Sequence, residues 1–336
     1  MSAEFTRLLE EMAAGPLRLE RAGLAFEYVL EAGLEPDAIR RFLQLSGDRL
    51  YEDEFLLAGA KAMRARMRPA WAPEGAIDVC GTGGDGANTV NVSTAVSFVV
   101  AAAGVPVAKH GNRAASSRSG AADVLQALGV RLDLDPRASF QAANLAFLFA
   151  PAYHPALAPL APLRRELGVR TVFNVLGPLC NPAGVTRQLV GVGDPRLLEP
   201  MAQALRALGA ERAVLVCGHN GVDEITPHGV TEWRALEDGE IHSWKSDASS
   251  FHLLLAPPDP GELRGGAPEE NAARLREVLT GEDRGAYWAA VIHNAAAALW
   301  LAERALTLGG AAAEAIDILH EGRALEALER LIEAGR

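Results

Sequence analysis

Residues 77–94 read IDVCGTGGDGANTVNVST, a short apolar run that leads through a glycine-rich turn into the start of an apolar helix. Glycines let the backbone approach a ligand closely, and the amides at a helix start face an anion. Short apolar runs continue to alternate with helical patterns, at residues 105–107, 147–149, 189–192 and 214–217. This rhythm predicts an α/β fold with a central mixed, mainly parallel sheet covered by helices.

The glycine-rich turn has the spacing of a dinucleotide-binding fingerprint at Gly81, Gly83 and Gly86, which also needs an acidic residue about twenty positions later. No Asp or Glu occurs between Asp85 and Asp123, although composition predicts roughly five. The basic residues of this acid-free stretch are Lys109, His110, Arg113 and Arg118. The stretch therefore favours a phosphate-rich ligand over NAD, because a polyanion binds there without repulsion.

Helical spacing dominates the first 67 residues, and strand-like alternation is absent from them. We expect a small helical domain over 1–70, joined by helices near 160–185, and an α/β catalytic domain over 71–336. An alternating pattern at 231–244, centred on Asp238-Gly239, predicts a β-hairpin at the edge of the sheet.

Composition excludes several classes of function. The net charge of −11 opposes binding to nucleic acid. The uncharged segment 285–302 contains His293 and Asn294, so a buried core helix is favoured over a membrane span. The three cysteines show neither a metal-binding spacing nor a signal peptide before them, and a cytoplasmic location is expected.

Two adjacent carboxylates, Asp223 and Glu224, follow the predicted strand at 214–217 and a glycine-containing turn. On most loops such residues are solvated charges. At the mouth of a sheet that binds phosphate they suit Mg²⁺, which takes a few carboxylates and completes its coordination with water and phosphate oxygens.

Several motifs together resemble the anthranilate phosphoribosyltransferase family, and they occur in that family's order over about residues 17–301. They are Gly81-Thr82-Gly83-Gly84-Asp85, Asn91-Val92-Ser93-Thr94, Lys109-His110-Gly111-Asn112-Arg113, Ser119 to Leu125, Arg170 to Asn174, Gly177-Pro178-Leu179 and Asp223-Glu224. The resemblance implies the nucleoside phosphorylase and phosphoribosyltransferase type of fold. It also implies phosphoribosyl pyrophosphate (PRPP) and anthranilate as substrates in tryptophan biosynthesis, Mg²⁺ as cofactor, and a homodimer.

The resemblance also implies the role of each site residue. PRPP would be held by Gly81, Gly84, Asp85, Thr89, Asn91, Val92, Ser93, Thr94, Lys109, His110, Gly111, Asn112, Arg113, Ala114, Ala115, Ser116, Ser117 and Ala121. Lys109 and Arg113 would support the transition state. Anthranilate would be received by Gly81, His110, Asn112, Tyr153, His154, Arg164 and Pro178, and Mg²⁺ by Ser93, Asp223 and Glu224. A symmetric dimer contact is expected on the helical segment 1–67, at exposed apolar positions such as Phe42 and Leu43.

Some of these expectations have alternatives. Tyr153 and His154 could be packing residues of a proline-rich loop, and Arg165 could replace Arg164 as the contact to anthranilate. Ala121 stands where the family commonly has serine, and the segment 134–147 is about three residues short, which puts its helix in doubt.

Two other classes of protein share the predicted architecture. Pyrimidine nucleoside phosphorylases use phosphate as the nucleophile, but the sequence Lys109-His110-Gly111-Asn112 favours the transferase. A non-enzymatic relative that binds nucleic acid should have basic surfaces, whereas this chain is acidic.

Overall fold

The computed structural model describes residues 3–31, 33–84, 86–114, 118–252, 259–282 and 284–336. Within these ranges seven strands form one sheet, in the order β3-β2-β1-β4-β5-β6-β7. The strands are β1 Ile77–Gly81, β2 Val107–Gly111, β3 Leu145–Phe149, β4 Arg187–Gly191, β5 Arg212–Cys217, β6 Thr231–Glu237 and β7 Glu240–Ser246. The first five run parallel and the last two are antiparallel, which confirms the predicted fold class.

Helices cover both faces of the sheet. In the described part of the chain they are α1 Ala3–Ala14, α2 Leu19–Leu30, α3 Pro36–Gly47, α4 Asp53–Arg64, α5 Val92–Ala102, α6 Ala121–Ala127, α7 Pro136–Ala143, α8 Ala150–Tyr153, α9 Ala161–Leu167, α10 Leu198–Ala207, α11 Pro268–Leu279, α12 Ala286–Leu301, α13 Leu308–His320 and α14 Arg323–Ala334. Short 3₁₀ turns, such as Pro155–Leu160 and Gly177–Leu179, connect them.

The two faces of the sheet belong to different apolar clusters, because side chains alternate along a strand. In β4, Leu189 packs into a cluster with α5 and α12, whereas Val190 packs into a cluster with α1–α4 and α10. The second cluster also contains Val172 to Cys180. The expected boundary near residue 70 stays a prediction, since apolar packing continues across it.

The helical segment is centred on Phe26, whose ring lies within 6.0 Å of the rings of Phe42, Phe55 and Phe173. Phe42 and Leu43 are fully buried in this cluster. Our expectation that they are exposed for a dimer contact is therefore wrong, because Phe173 arrives from a distant part of the chain and covers this region. The dimer itself stays a prediction.

Three other expectations are decided by the structure. The hairpin turn has positive φ at Asp238 (50°) and Gly239 (80°), as the predicted two-residue turn requires. Helix α7 forms despite the shortened segment, with the carboxylate of Asp135 accepting from the amides of Arg137 and Ala138. The uncharged segment becomes the buried helix α12, and none of the helices described is long and apolar enough to cross a membrane.

Replacing Phe26 with alanine should lower the free energy of unfolding by about 3 to 5 kcal/mol, because the cavity would open where four aromatic rings meet. Chemical denaturation followed by circular dichroism would measure the change. Leu306→Ala is the control, because that side chain is 98% exposed, and it should change stability by less than about 0.5 kcal/mol. Equal effects of the two substitutions would contradict the central place of Phe26.

Candidate active site

The parallel register brings the carboxyl ends of the strands to one edge, where Gly81 of β1 is paired with Gly191 of β4. Backbone hydrogen bonds continue past these ends. The Thr82 amide donates to Gly191 O (2.9 Å), and the Gly193 amide donates to Thr82 Oγ1 (3.1 Å). The Gly83 amide donates to Asp223 Oδ2 (2.7 Å). Loops from β1, β4 and β5 are therefore joined at one point.

Two glycines at this point make room for Asp223. A Cβ atom added to Gly191 would lie 1.6 Å from the carbonyl oxygen of Asp223, and one added to Gly81 would lie 2.4 Å from its Oδ2. The contact at Gly191 involves backbone and excludes any side chain, so the Asp223 backbone can lie directly on the strand end only because residue 191 is glycine, while Gly81 leaves room for the Asp223 carboxylate.

Lys109 brings a buried positive charge beneath this edge. Its ammonium donates to Val79 O (2.7 Å) and to Ser93 Oγ (3.1 Å). Burial lowers the pKa of Lys109, and the buried carboxylate of Asp78 opposes that shift. A buried ammonium needs compensating groups, which these neighbours supply.

The amino-terminal end of α5 is open to an anion. Its N-cap residue Asn91 makes no capping hydrogen bond with its side chain, and the first turn contains no acid. Thr94 Oγ1 is buried in the same turn and has no hydrogen-bond partner among the residues described. A phosphate at this end would face the helix amides and satisfy that hydroxyl.

Asp123, in the first turn of α6, holds Arg113, Ala114 and Gly120 together after β2. Its Oδ2 accepts from the amides of Ala114 (3.0 Å) and Gly120 (2.9 Å), and its Oδ1 accepts from Arg113 Nη1 (2.7 Å). Arg113 also lies 5.6 Å from the ring centre of Phe149. Its guanidinium is therefore held at the rim of the site.

On the other side of β2, His110 faces a second group of residues. Its Nδ1–H donates to Gly177 O (3.2 Å), so in the neutral ring Nε2 accepts from His154 Nε2–H (3.2 Å). Burial, assisted by the neighbouring His154, lowers the pKa of His110 to about 3. His110 is thus uncharged at neutral pH.

Arg164, on α9, is the candidate cation for this second group of residues. Its guanidinium lies 5.6 Å from the ring centre of Phe173, and burial lowers its pKa, although an arginine stays charged. Within the described ranges no carboxylate pairs with it. Arg165, the next residue of α9, is exposed. The structure therefore favours Arg164 over Arg165 as the partner of an anion in the site.

The carboxylates of Asp223 and Glu224 offer oxygen ligands of the kind that Mg²⁺ prefers. Glu224 is buried, and its backbone packs closely against Gly218. A Cβ atom added to Gly218 would lie 2.4 Å from Glu224 O. In the part of the chain that the structure covers, no three His, Cys, Asp or Glu side chains form a metal-binding cluster. Two carboxylates would leave the other coordination positions of Mg²⁺ to water and phosphate oxygens.

Comparisons with known proteins identify the family to which the chain belongs. The family described as "Glycosyl transferase family, a/b domain" matches residues 74–325. Anthranilate phosphoribosyltransferase of Methylobacterium radiotolerans is 49% identical over 96% of this chain and 94% of its own. That of Mesorhizobium japonicum is 47% identical over 99% of both. The chain belongs to the anthranilate phosphoribosyltransferase family.

Solved structures of the same family share the fold. The enzyme of Thermus thermophilus superposes with a TM-score of 0.88 at 39% identity, over 99% of both chains. The Saccharomyces cerevisiae enzyme in complex with PRPP and Mg superposes with a TM-score of 0.89 at 26% identity, over 99% of this chain and 98% of that one. The predicted family and transferase class are thus confirmed.

The residues expected from the family resemblance fall into two groups around β2. Those on the α5 side are Gly81, Gly84, Thr89, Asn91, Val92, Ser93, Thr94, Lys109, Gly111, Asn112, Arg113, Ala114 and Ala121, with Asp223 and Glu224 beside them. Those on the other side are His110, His154, Pro178 and Tyr153, while Arg164 lies on α9 beside Phe173. Asp85, Ala115, Ser116 and Ser117 lie outside the described residues.

Within the second group, the structure supports the alternative that Tyr153 is a packing residue. It lies against the cluster of Ala76, Phe140 and Leu148, and its carbonyl accepts from the Arg68 amide (2.8 Å). His154 contacts His110 directly and is not merely a packing residue.

Sequence reasoning missed two buried polar residues that organise the site. Asp78 accepts from the His110 amide (3.1 Å) and from Asn181 Nδ2 (2.8 Å). Asn271 donates to Asn91 Oδ1 (3.0 Å) from a helix far along the chain. The available signal for Asp78 was a carboxylate inside an apolar strand. Asn271 gave no comparable signal.

Gly191→Ala should reduce activity by about a hundredfold, because the added methyl group displaces Asp223 by an ångström or more from the strand ends. Steady-state rates would measure the loss, with circular dichroism to verify folding. Gly23→Ala is the matched control, since a Cβ at that helical position meets nothing within 4 Å. Wild-type rates for Gly191→Ala would show that the position of Asp223 does not matter.

Proposed function

We propose that this chain transfers the 5-phosphoribosyl group of PRPP to the amine of anthranilate, with release of pyrophosphate. The observation that carries the proposal is the pair of separate cationic compartments on the two sides of β2. Lys109 and the open end of α5 serve one compartment, and Arg164 serves the other. Successive residues of a strand point to opposite faces, so Lys109 and His110 face different compartments.

The two compartments match the charges of the two substrates. PRPP is a polyanion, and the acid-free end of α5 with the buried Lys109 ammonium suits its phosphates. Anthranilate carries a carboxylate, which a guanidinium can hold by charge-assisted hydrogen bonds. Like charges repel unless each has its own cation, and the site supplies one to each.

The reaction breaks the bond from the anomeric carbon to pyrophosphate and forms a bond to the anthranilate nitrogen. Positive charge develops on the ribose and negative charge on the leaving group, so catalysis consists of stabilising pyrophosphate and placing the amine. The amine attacks uncharged and loses its proton afterwards. An essential general base is not required, which agrees with Nε2 of His110 already accepting from His154.

The metal fits the same arrangement. Asp223, Glu224 and Ser93 would hold Mg²⁺, which when bound offsets the charge of the leaving pyrophosphate. Asp223 also keeps the Gly83 amide in place through its Oδ2. The S. cerevisiae relative was solved with PRPP and Mg, which supports the use of Mg²⁺ by this chain.

The activity is tested by following anthranilate fluorescence after addition of PRPP and Mg²⁺ to the purified chain. We expect the fluorescence to fall and pyrophosphate to appear in equal amount. Incubation with thymidine and inorganic phosphate tests the phosphorylase alternative in parallel. Thymine release without loss of anthranilate would overturn the proposal.

Arg164→Ala should raise the Michaelis constant for anthranilate about ten- to a hundredfold, because a charge-assisted hydrogen bond contributes about 1.5 to 3 kcal/mol. The constant for PRPP should hardly change, since Arg164 lies on the other side of β2. Arg165→Ala, on the exposed face of α9, is the matched control and should leave both constants unchanged. A rise in both constants for Arg164→Ala would show that the residue supports the fold or PRPP instead.

Asp223→Asn combined with Glu224→Gln should raise the Mg²⁺ concentration needed for half-maximal rate by at least about tenfold. Even the loss of a residue that only supports a metal ligand weakens metal binding by about that factor. Asparagine keeps an oxygen for the Gly83 amide, so the loop remains joined while the charge is lost. Titration of activity with MgCl₂ measures the shift. Asp238→Asn with Glu240→Gln removes two exposed charges at the hairpin and should leave the titration unchanged. An unshifted titration in the first variant would exclude these carboxylates as metal ligands.

A further inference from the structure

The structure contains a buried amide that joins the two loops of the PRPP compartment. Asn271 lies on α11, is 1% exposed, and uses its whole side-chain amide in hydrogen bonds. Nδ2 donates to Asn91 Oδ1 (3.0 Å) and to Ser119 Oγ (2.7 Å). Oδ1 accepts from the Gly266 amide (2.7 Å). Asn91 follows β1 and Ser119 follows β2, so one residue connects both loops.

The orientation of this amide is determined by its partners. A backbone amide can only donate, so the oxygen of Asn271 must face Gly266. Its NH₂ group must then face Asn91 and Ser119, and Asn91 must present its oxygen. Aspartate could not reproduce this pattern, because its second oxygen cannot donate to Asn91 and its negative charge would lie beside the acid-free first turn of α5.

The bond to Asn91 has a consequence for α5. An asparagine at an N-cap ordinarily accepts from the amide two or three residues later, here Ser93 or Thr94. In this structure the Asn91 side chain makes no such bond, and its oxygen faces Asn271 instead. The Val92 amide donates to Val90 O (2.8 Å), so the amides of Ser93 and Thr94 are the ones left for an external anion.

The turn that precedes α11 is attached to the same loop. The Gly265 amide donates to Asn88 O (2.7 Å), and the Val90 amide donates to Leu263 O (2.9 Å). Thr89 and Arg264 form an isolated antiparallel bridge. The turn that leads into α11, and so to Asn271, is therefore itself hydrogen-bonded to residues 88–90.

We propose that Asn271 is a positioning residue for PRPP: it holds Asn91 away from the α5 amides and sets the distance between the loops of Asn91 and Ser119. It touches no reacting atom and acts through these two residues. The proposal rests on the proposed function only in naming PRPP as the anion. The preformed, uncapped end of α5 is the property that Asn271 maintains.

The test compares Asn271→Ala and Asn271→Asp with the wild-type chain. We expect alanine to raise the Michaelis constant for PRPP about tenfold, the effect of losing one or two buried hydrogen bonds. Aspartate should raise it further through charge repulsion. The Michaelis constant for anthranilate and kcat should stay within about threefold of the wild-type values, because the second compartment is unaltered. A wild-type constant for PRPP in either variant would overturn the proposal.

A control in the helical segment distinguishes a positioning role of Asn271 from a merely structural one. Ser46 is fully buried, and its Oγ donates to Leu43 O and accepts from the Val172 amide. Ser46→Ala should lower the melting temperature without changing the constant for PRPP. If Asn271→Ala lowers the melting temperature and changes kcat and both Michaelis constants in equal measure, Asn271 supports the fold only and the proposal fails.

Ser119→Ala provides a milder variant in case Asn271→Ala does not fold, since it removes one partner of the amide without opening a large cavity. It should raise the constant for PRPP about threefold. In the double variant the two effects should be less than additive, because both remove the same contact. Full additivity would show that Ser119 and Asn271 act independently and would contradict the proposal.

Binding of inorganic pyrophosphate, measured by calorimetry with Mg²⁺ present, distinguishes failure of this inference from failure of the proposed function. If the wild-type chain binds pyrophosphate and Asn271→Ala binds it about tenfold more weakly, the inference stands whether or not anthranilate is consumed. If both bind it equally, the inference is wrong even where the transferase activity is confirmed.

Discussion

Burial of the Lys109 ammonium is the constraint on which the rest of the site depends. An ammonium removed from water must be compensated by nearby oxygens and opposite charge, and here Val79 O, Ser93 Oγ and the Asp78 carboxylate supply them. These partners belong to β1 and to the first turn of α5. The charge can therefore be buried only when β1, β2 and α5 have assembled in their observed relation, and the same relation forms the anion compartment.

Asp78 connects the surroundings of Lys109 to the opposite side of β2. Its two oxygens accept from the His110 amide and from Asn181, and Asn181 also donates to Ala108 O (2.8 Å). The carboxylate that offsets Lys109 thus also holds the backbone that carries His110. The two groups of residues share one buried network, although a different anion is proposed for each. Because a single strand separates them, the two proposed anions would lie close together while facing different cations.

Close backbone approach is the second requirement of the site. The Asp223 loop lies on Gly81 and Gly191, and the loops of Asn91 and Ser119 meet at Asn271. Each of these contacts joins segments that follow different strands. Residues on loops are placed accurately only when a rigid scaffold and a supporting layer hold them. In this protein buried amides, glycines and the carboxylates of Asp78 and Asp123 provide that layer.

The sequence by itself determined the α/β class, the hairpin at Asp238-Gly239, the buried helix at 285–302 and the acid-free basic run between Asp85 and Asp123. These features are local, because turn chemistry, hydrophobic period and charge pattern are expressed over a few neighbouring residues. The tertiary structure alone decided that Phe42 and Leu43 are buried and that Arg164, rather than Arg165, faces inward. It alone joined Asn271 to Asn91, which precedes it by 180 positions. The physical reason is that burial and hydrogen bonding depend on partners distant in the chain, and the spacing of one sequence does not reveal which distant residues meet.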